Sequence, residues 1–412
     1  MSQRARQGAA ALAAAASALA LGMVAALGAG ASLAASPAAR QVYGLAWRRP
    51  VIETAPCFLS LFLPPAEQER CASWTRRETA APALHVPTGL VVVGGSDRKL
   101  RGIQADSGKT QWETALPGAL VAQATLHDDG AYFGTDDGHV LRADVTSGRA
   151  RWDVTVDAEV TEPVGVDDDL VLVITGNDSL YALKRETGDP AWVHKHPLPR
   201  AITLRGQAKP LVVSVATPAG PKRRVMVGHA SGRLTILERD TGTVVDEIAL
   251  SGDDSFGDLD ADPFVQRGHI LVASASRGII ALDARTHAEV WRTPETGIVR
   301  LARGGNHLVV GAGPGKVVAL DAISGAPRWR FTFDKGAPSR IVVKGGRVHV
   351  ASDRGSVYVL DLFSGRPLQY LGTGLGVAAD LELQSDAMFV TTTAGELMAL
   401  SNAFTGIVHA KH

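Results

Sequence analysis

The residues able to do chemistry are few and scattered. His194 and His196 stand two apart, which places both on one face of a strand, where two imidazoles can share a metal ion. They belong to no H-E-x-x-H or comparable ligand set, and the plainer reading is two ordinary surface histidines. The acidic run Asp253-Asp254-Ser255-Phe256-Gly257-Asp258-Leu259-Asp260-Ala261-Asp262 has the carboxylates of a calcium loop without its ligand spacing or closing Glu. The sequence carries no Ser-His-Asp order and no carboxylate pair set in a defined pocket. Cys57 and Cys71 bracket 13 residues. With no histidine cluster beside them they make a poor metal site. In an oxidising compartment they would staple one loop as a disulfide; otherwise they are two free thiols. The expectation is a non-enzyme with no catalytic residue, metal or cofactor.

The elements that must position these groups follow from a repeat. The chain has 412 residues, 45% of them hydrophobic, with 42 basic and 42 acidic side chains. That supports a large core and offers no basic surface for nucleic acid. Residues 1–39 stand apart: a basic start at Arg4 and Arg6, then an uncharged stretch rich in Ala, Leu and Gly. This reads as an export signal cleaved near Ala34 or Ala38, or as an uncleaved anchor helix. Either places the body outside the cytoplasm. No cysteine directly follows the apolar stretch, so there is no lipoprotein signal.

Eight copies of one pattern fill the rest, at residues 94–112, 134–152, 175–192, 228–246, 274–291, 311–329, 351–369 and 391–408. Each has a polar turn, an alternating strand, a Thr/Ser-Gly turn and a strand often opened by Trp. The turn glycines are Gly108, Gly148, Gly188, Gly242, Gly325, Gly365 and Gly406, with His287 in the fifth place. Gly supplies the positive φ of such a turn, so the fifth turn should be of another type or strained. Four short strands per unit of roughly 40 residues describe a propeller blade. The expected fold is all-β, an eight-bladed β-propeller of four-stranded antiparallel blades closed by an N-terminal strand. Residues 40–84 would hold that strand and the cysteine loop, and 85–412 the blades. The strand around Trp47 would join the last blade beside Ile407 and Val408, or lie next to it as a closing strand. Trp112, Trp152, Trp192, Trp291 and Trp329 share one repeat position, with Trp47 in the closing strand; they read as packing between blades, with cofactor stacking the alternative.

The run Val317-Val318-Ala319-Leu320-Asp321-Ala322-Ile323-Ser324-Gly325-Ala326-Pro327-Arg328-Trp329 resembles the pyrroloquinoline-quinone-type repeat, which enzymes and non-enzymes share. The period breaks around the fourth copy. There, Ile202-Thr203-Leu204-Arg205-Gly206-Gln207-Ala208-Lys209-Pro210 and Asp258-Leu259-Asp260-Ala261-Asp262-Pro263 are similar to two loop stretches of the BamB family, accessory proteins of the outer-membrane protein assembly complex. The resemblance implies a periplasmic scaffold associated with the outer membrane through partners. It implies a contact set of Ile202, Leu204, Arg205, Asp258 and Asp260 toward a BamA-like barrel protein with POTRA domains, and a monomer within a larger complex. The absence of a lipoprotein signal departs from that family. Read from the residues alone, Arg205 beside Leu204 is an interface anchor pairing, and Asp258 and Asp260 receive a basic partner group, pair with Arg205 itself, or only form turns. The other functions considered are a general envelope interaction or ligand-sensing propeller, and a quinoprotein dehydrogenase. The dehydrogenase family carries a vicinal Cys-Cys pair, which this sequence lacks.

Overall fold

Within the first repeat, Leu90–Gly94 is buried throughout and Lys99–Gln104 nearly so, while Thr110–Ala115 alternates exposed and half-buried residues. A strand buried on both faces needs neighbours on both faces, so each unit must stand between two others. The computed structural model describes residues 42–52, 79–197, 208–217, 220–250, 259, 261–274, 276–333, 336–384 and 386–401. Among these residues the chain forms eight four-stranded antiparallel sheets.

The sheets are the blades of a closed ring. In chain order, blades 1 to 7 span 83–115, 125–155, 165–195, 211–249, 264–292, 298–332 and 338–372. Blade 8 combines Glu382–Gln384, Ala387–Thr391 and Glu396–Ser401 with Gly44–Pro50. Apolar clusters fill each gap between blades. Val92 and Leu100 meet Phe133 and Leu141 between blades 1 and 2, and Phe389 and Leu397 meet Val91 and Ile103 between blades 8 and 1. The inner strands Ala83–His85 and Glu382–Gln384 lie side by side, which completes the circle.

Closure depends on the N-terminal strand. Gly44–Pro50 pairs directly with Glu396–Ser401 and sets Trp47 opposite Ala399. Trp112 opposite Gly102 and Trp329 opposite Ala319 hold the same register in their blades. The strand therefore supplies the outer position of blade 8; Ile407 and Val408 lie outside the described residues. Gln369 fixes its approach: Oε1 accepts from the backbone N of Val42 and Tyr43 at 2.8 and 2.7 Å, and Nε2 donates to the Tyr43 carbonyl at 2.7 Å.

The repeat motif has a local cause. Oδ1 of Asp321 accepts from the backbone N of Ile323 and Ser324 and from the Ser324 hydroxyl, an Asx turn that hands the chain to Gly325. Asp144 and Asp361 do the same in blades 2 and 7. In blade 5, His287 adopts φ 60°, with the same backbone bond to Asp283 that Gly325 makes to Asp321. The turn type is thus kept and the residue is strained into it. The long step between Gly188 and Gly242 arises partly inside blade 4, whose first hairpin, Leu211–Thr217 with Gly220–Gly228, is longer than those of blades 1 to 3.

Candidate interaction face at the axial mouth

Strand register places one residue per blade at the mouth of the ring, just ahead of or early in the inner strand: Ala81, Gln123, Pro163, Lys209, Asp262, Arg300, Arg340 and Asp380. All except Lys209 line one cavity of about 160 Å³, together with Glu162 and Thr79. The charged members are knitted to one another and to backbone. Arg340 Nε lies 2.8 Å from Asp380 Oδ1. Arg300 Nε donates to the Ser339 carbonyl at 2.7 Å. Gln123 Nε2 donates to the Pro82 carbonyl at 2.6 Å and to Glu382 Oε2 at 3.1 Å.

Burial shifts the proton affinities of four groups at this mouth. Burial, with the Asp262 carboxylate nearby, pushes the Glu162 carboxyl up to about 8. Burial also raises Asp262 and lowers Lys209, each partly opposed by the charge of the other. Glu382 is pushed up to about 7 by burial. Asp262 keeps surface open to the cavity.

Of the residues singled out from sequence, Ile202, Leu204, Arg205, Asp258, Asp260, Cys57 and Cys71 lie outside the described residues. The residues flanking the two irregular segments are described. Lys209 N donates to Asp262 Oδ1 at 2.9 Å, which ties the end of the first segment to the end of the second. Ala208 N bonds the Gly228 carbonyl, Leu259 N bonds the His229 carbonyl, and Leu259 is fully buried. The structure thus brings the roots of both segments together at this mouth.

The tryptophans sit at the opposite, outer side of the sheets. The indole N–H of Trp47, Trp112, Trp152, Trp192 and Trp329 donates to the carbonyl of Ala105, Val145, Arg185, Arg239 and Leu362, each on the next blade, at 2.8–2.9 Å. Each ring lies against the turn glycine of that blade. A Cβ on Gly148, for example, would stand 2.3 Å from Trp112 Cε3, and Gly325 meets Trp291 in the same way. At the blade 4 to 5 junction, Asp246 and His287 replace the Trp and the Gly and hydrogen-bond through His287 Nδ1. Sequence reasoning passed over the axial residues, although all eight occupy one register position of the repeat. It also read His196 as a surface residue; its side chain is 4% exposed.

The family model described as outer membrane protein assembly factor BamB matches residues 47–155, 96–301 and 276–404. The chain belongs to this family. BamB of Yersinia pestis is 26% identical over 263 residues, 58% of this chain and 63% of the relative. BamB of Shewanella oneidensis is 24% identical over 216 residues, 51% of this chain and 52% of the relative. The chain thus spans between half and two thirds of the length of these two relatives. The match to BamB of Burkholderia pseudomallei, at 24% identity, covers 74% of this chain and 80% of the relative. The crystal structure of BamB from Moraxella catarrhalis superposes with a TM-score of 0.68 at 20% identity, over 79% of this chain and 96% of that one. Quinohemoprotein alcohol dehydrogenase from Comamonas testosteroni gives 0.64 at 12% identity, over 90% of this chain and 78% of that one. Both likenesses are of fold.

Proposed function

We propose that this protein is a non-catalytic scaffold that supports the assembly of outer-membrane β-barrel proteins. It binds the barrel component, a BamA-like protein with POTRA domains, through the segments at 199–210 and 253–263. Residues 1–39 direct export, and the propeller works in the periplasm, held near the outer membrane by its partner. The observation that carries this reading is the bond from Lys209 N to Asp262 Oδ1. It joins the ends of two segments far apart in sequence at one mouth of the ring, where insertions in repeat proteins gather on a binding face. Membership of the BamB family supports the choice of partner. Ile202, Leu204, Arg205, Asp258 and Asp260 are the proposed contacts, with Arg205 as the charged anchor.

Exchanging Arg205 for Glu reverses the anchor charge. The Arg205→Glu protein should keep its circular dichroism and thermal transition while recovering less barrel protein in affinity purification from envelope fractions. Recovery equal to that of the unaltered protein would sink the contact assignment.

A further inference from the structure

Three side chains from two blades converge beside the roots of the irregular segments. Asp178 sits in the hairpin between Leu170–Ile174 and Ser179–Lys184, His196 follows Pro190–Lys195, and His229 follows Gly220–Gly228. Their side chains are 1, 4 and 0% exposed. One ligand atom from each lies within 4.8 Å of the others. The imidazoles of His196 and His229 are stacked, with centroids 4.0 Å apart and planes at 16°. Both ring nitrogens of His229 and Nδ1 of His196 are buried without a hydrogen-bond partner. The Asp178 Oδ1 to His229 Nδ1 approach, 3.5 Å, is a charge contact and not an aligned bond. Leaving a buried polar atom unsatisfied costs roughly 1–3 kcal/mol, so three such nitrogens in one place need an explanation.

The other blades show that the fold does not require these residues. The carbonyl of Asp178 accepts from His196 N; in the same role stand Gly138 to Val156, Gly232 to Leu250, Gly315 to Phe333 and Gly355 to Thr373. Asp178 therefore takes φ 62° at a place that glycine fills in those four blades and that Arg98, at φ 58°, fills in blade 1, and His196 replaces Val, Leu, Phe or Thr. His229 stands where three other blades carry threonine: its N bonds the carbonyl four residues on, as those of Thr135, Thr175 and Thr392 do. Three departures from the repeat, one of them strained, meet at a single point.

We propose that Asp178, His196 and His229 form a binding site for one divalent transition-metal ion, zinc in the first instance. Two imidazoles and a carboxylate are borderline ligands that suit zinc, cobalt, nickel or copper, whereas calcium and magnesium take oxygen shells. Ligand atoms held about 2.0–2.2 Å from one ion stand closer together than they do here, and rotation of the three side chains closes the gap. Glu247 Oε1, 3.8 Å from His196 Nε2, is placed to orient that ring as a carboxylate behind a ligand does. The carbonyl of His229 itself holds Leu259 N, so the ion fastens the blade 3 hairpin to blade 4 at the root of the second irregular segment.

The test uses the purified full chain, zinc and cobalt. The expected result is one equivalent of zinc retained after dialysis, a higher thermal midpoint with zinc, and a visible absorption band on titration with cobalt. Asp178→Gly and His196→Leu restore residues that other blades carry, so both should fold, with an apoprotein midpoint equal to or above the original. Each should weaken zinc by at least about tenfold in competition with a chromogenic chelator. The proposal is overturned if the unaltered chain retains no zinc and gives no cobalt band. It is equally overturned if both folded variants hold zinc as tightly as the unaltered chain. The cobalt band of the unaltered chain decides the matter even if a variant fails to fold.

Discussion

The outer belt and the axial mouth use the same eightfold register in opposite ways. At the belt, Trp47, Trp112, Trp152, Trp192, Trp291 and Trp329 repeat one device, an indole laid on the turn glycine of the next blade. At the mouth, the eight equivalent positions carry six residue types, Ala81, Gln123, Pro163, Lys209, Asp262, Arg300, Arg340 and Asp380. The difference follows from what each place must do. Every gap between blades poses the same packing problem, so one answer recurs. The mouth borders a cavity, where little apolar area is at stake and each blade can differ. Sameness holds the ring together, and difference is where a ring of repeats can acquire a specific surface.

The largest expected effect is at a regular belt junction. Trp152 is 8% exposed and packs with Tyr132, Val171 and Leu183 across the gap between blades 2 and 3. Trp152→Ala leaves a cavity and removes the indole donor from the Arg185 carbonyl, which keeps only the longer bond from Arg142, and should cost about 3–5 kcal/mol in urea unfolding. A loss under about 1 kcal/mol would show that the belt is not what secures the ring.

A smaller effect tests whether the Asp246 and His287 junction is a true substitute for the Trp and Gly pair. Asp246→Trp alone drives an indole against the His287 side chain, because the regular device needs a turn residue without Cβ. His287→Gly alone relieves the positive φ but loses the bond to Asp246. The double variant rebuilds the regular junction. In a double-mutant cycle the pair should therefore couple favourably by about 1–3 kcal/mol. Strict additivity of the two unfolding free energies would break the equivalence.

The same contrast explains what could be read from the sequence. The belt was legible because a large aromatic and a glycine recur at fixed places, and the strand alternation between them fixes the blade. The place of Gly44–Pro50 was partly legible, since Trp47 has the look of an outer strand; the bonds of Gln369 to Val42 and Tyr43 join residues more than 300 apart and leave no local trace. The mouth was not legible as a motif, because its residues share a position and not a type. Reading it requires the register first and then the column of eight side chains. Asp178, His196 and His229 were hidden for a related reason. They come from two repeats, and each is unremarkable until compared with the glycine, apolar residue or threonine that stands in its place elsewhere. Insertions were easier to see, since the break in period at the fourth copy marked the two segments whose roots Lys209 and Asp262 join.

The smallest effect belongs to the mouth and is read as a slope against pH. Glu162 in the folded chain titrates at about 8, against about 4.3 for an unperturbed Glu. Its folded value is raised, so between these limits the native state binds more protons than the unfolded state. The contribution of Glu162 to stability is then fully present below about pH 4 and is lost as pH rises through 8. Asp262 and Glu382 are shifted in the same direction and remain in both proteins when only Glu162 is changed. Glu162→Gln keeps the shape of the protonated acid and cannot ionise. Relative to the unaltered chain, it should gain stability progressively from pH 5 to pH 8, read as the difference in thermal midpoint across that range. Water in the cavity screens the charge and keeps the gain below the belt effects. Parallel midpoint curves for the two proteins would mean that Glu162 is solvated as at an open surface, and the mouth would then lose its distinction from the outside of the ring.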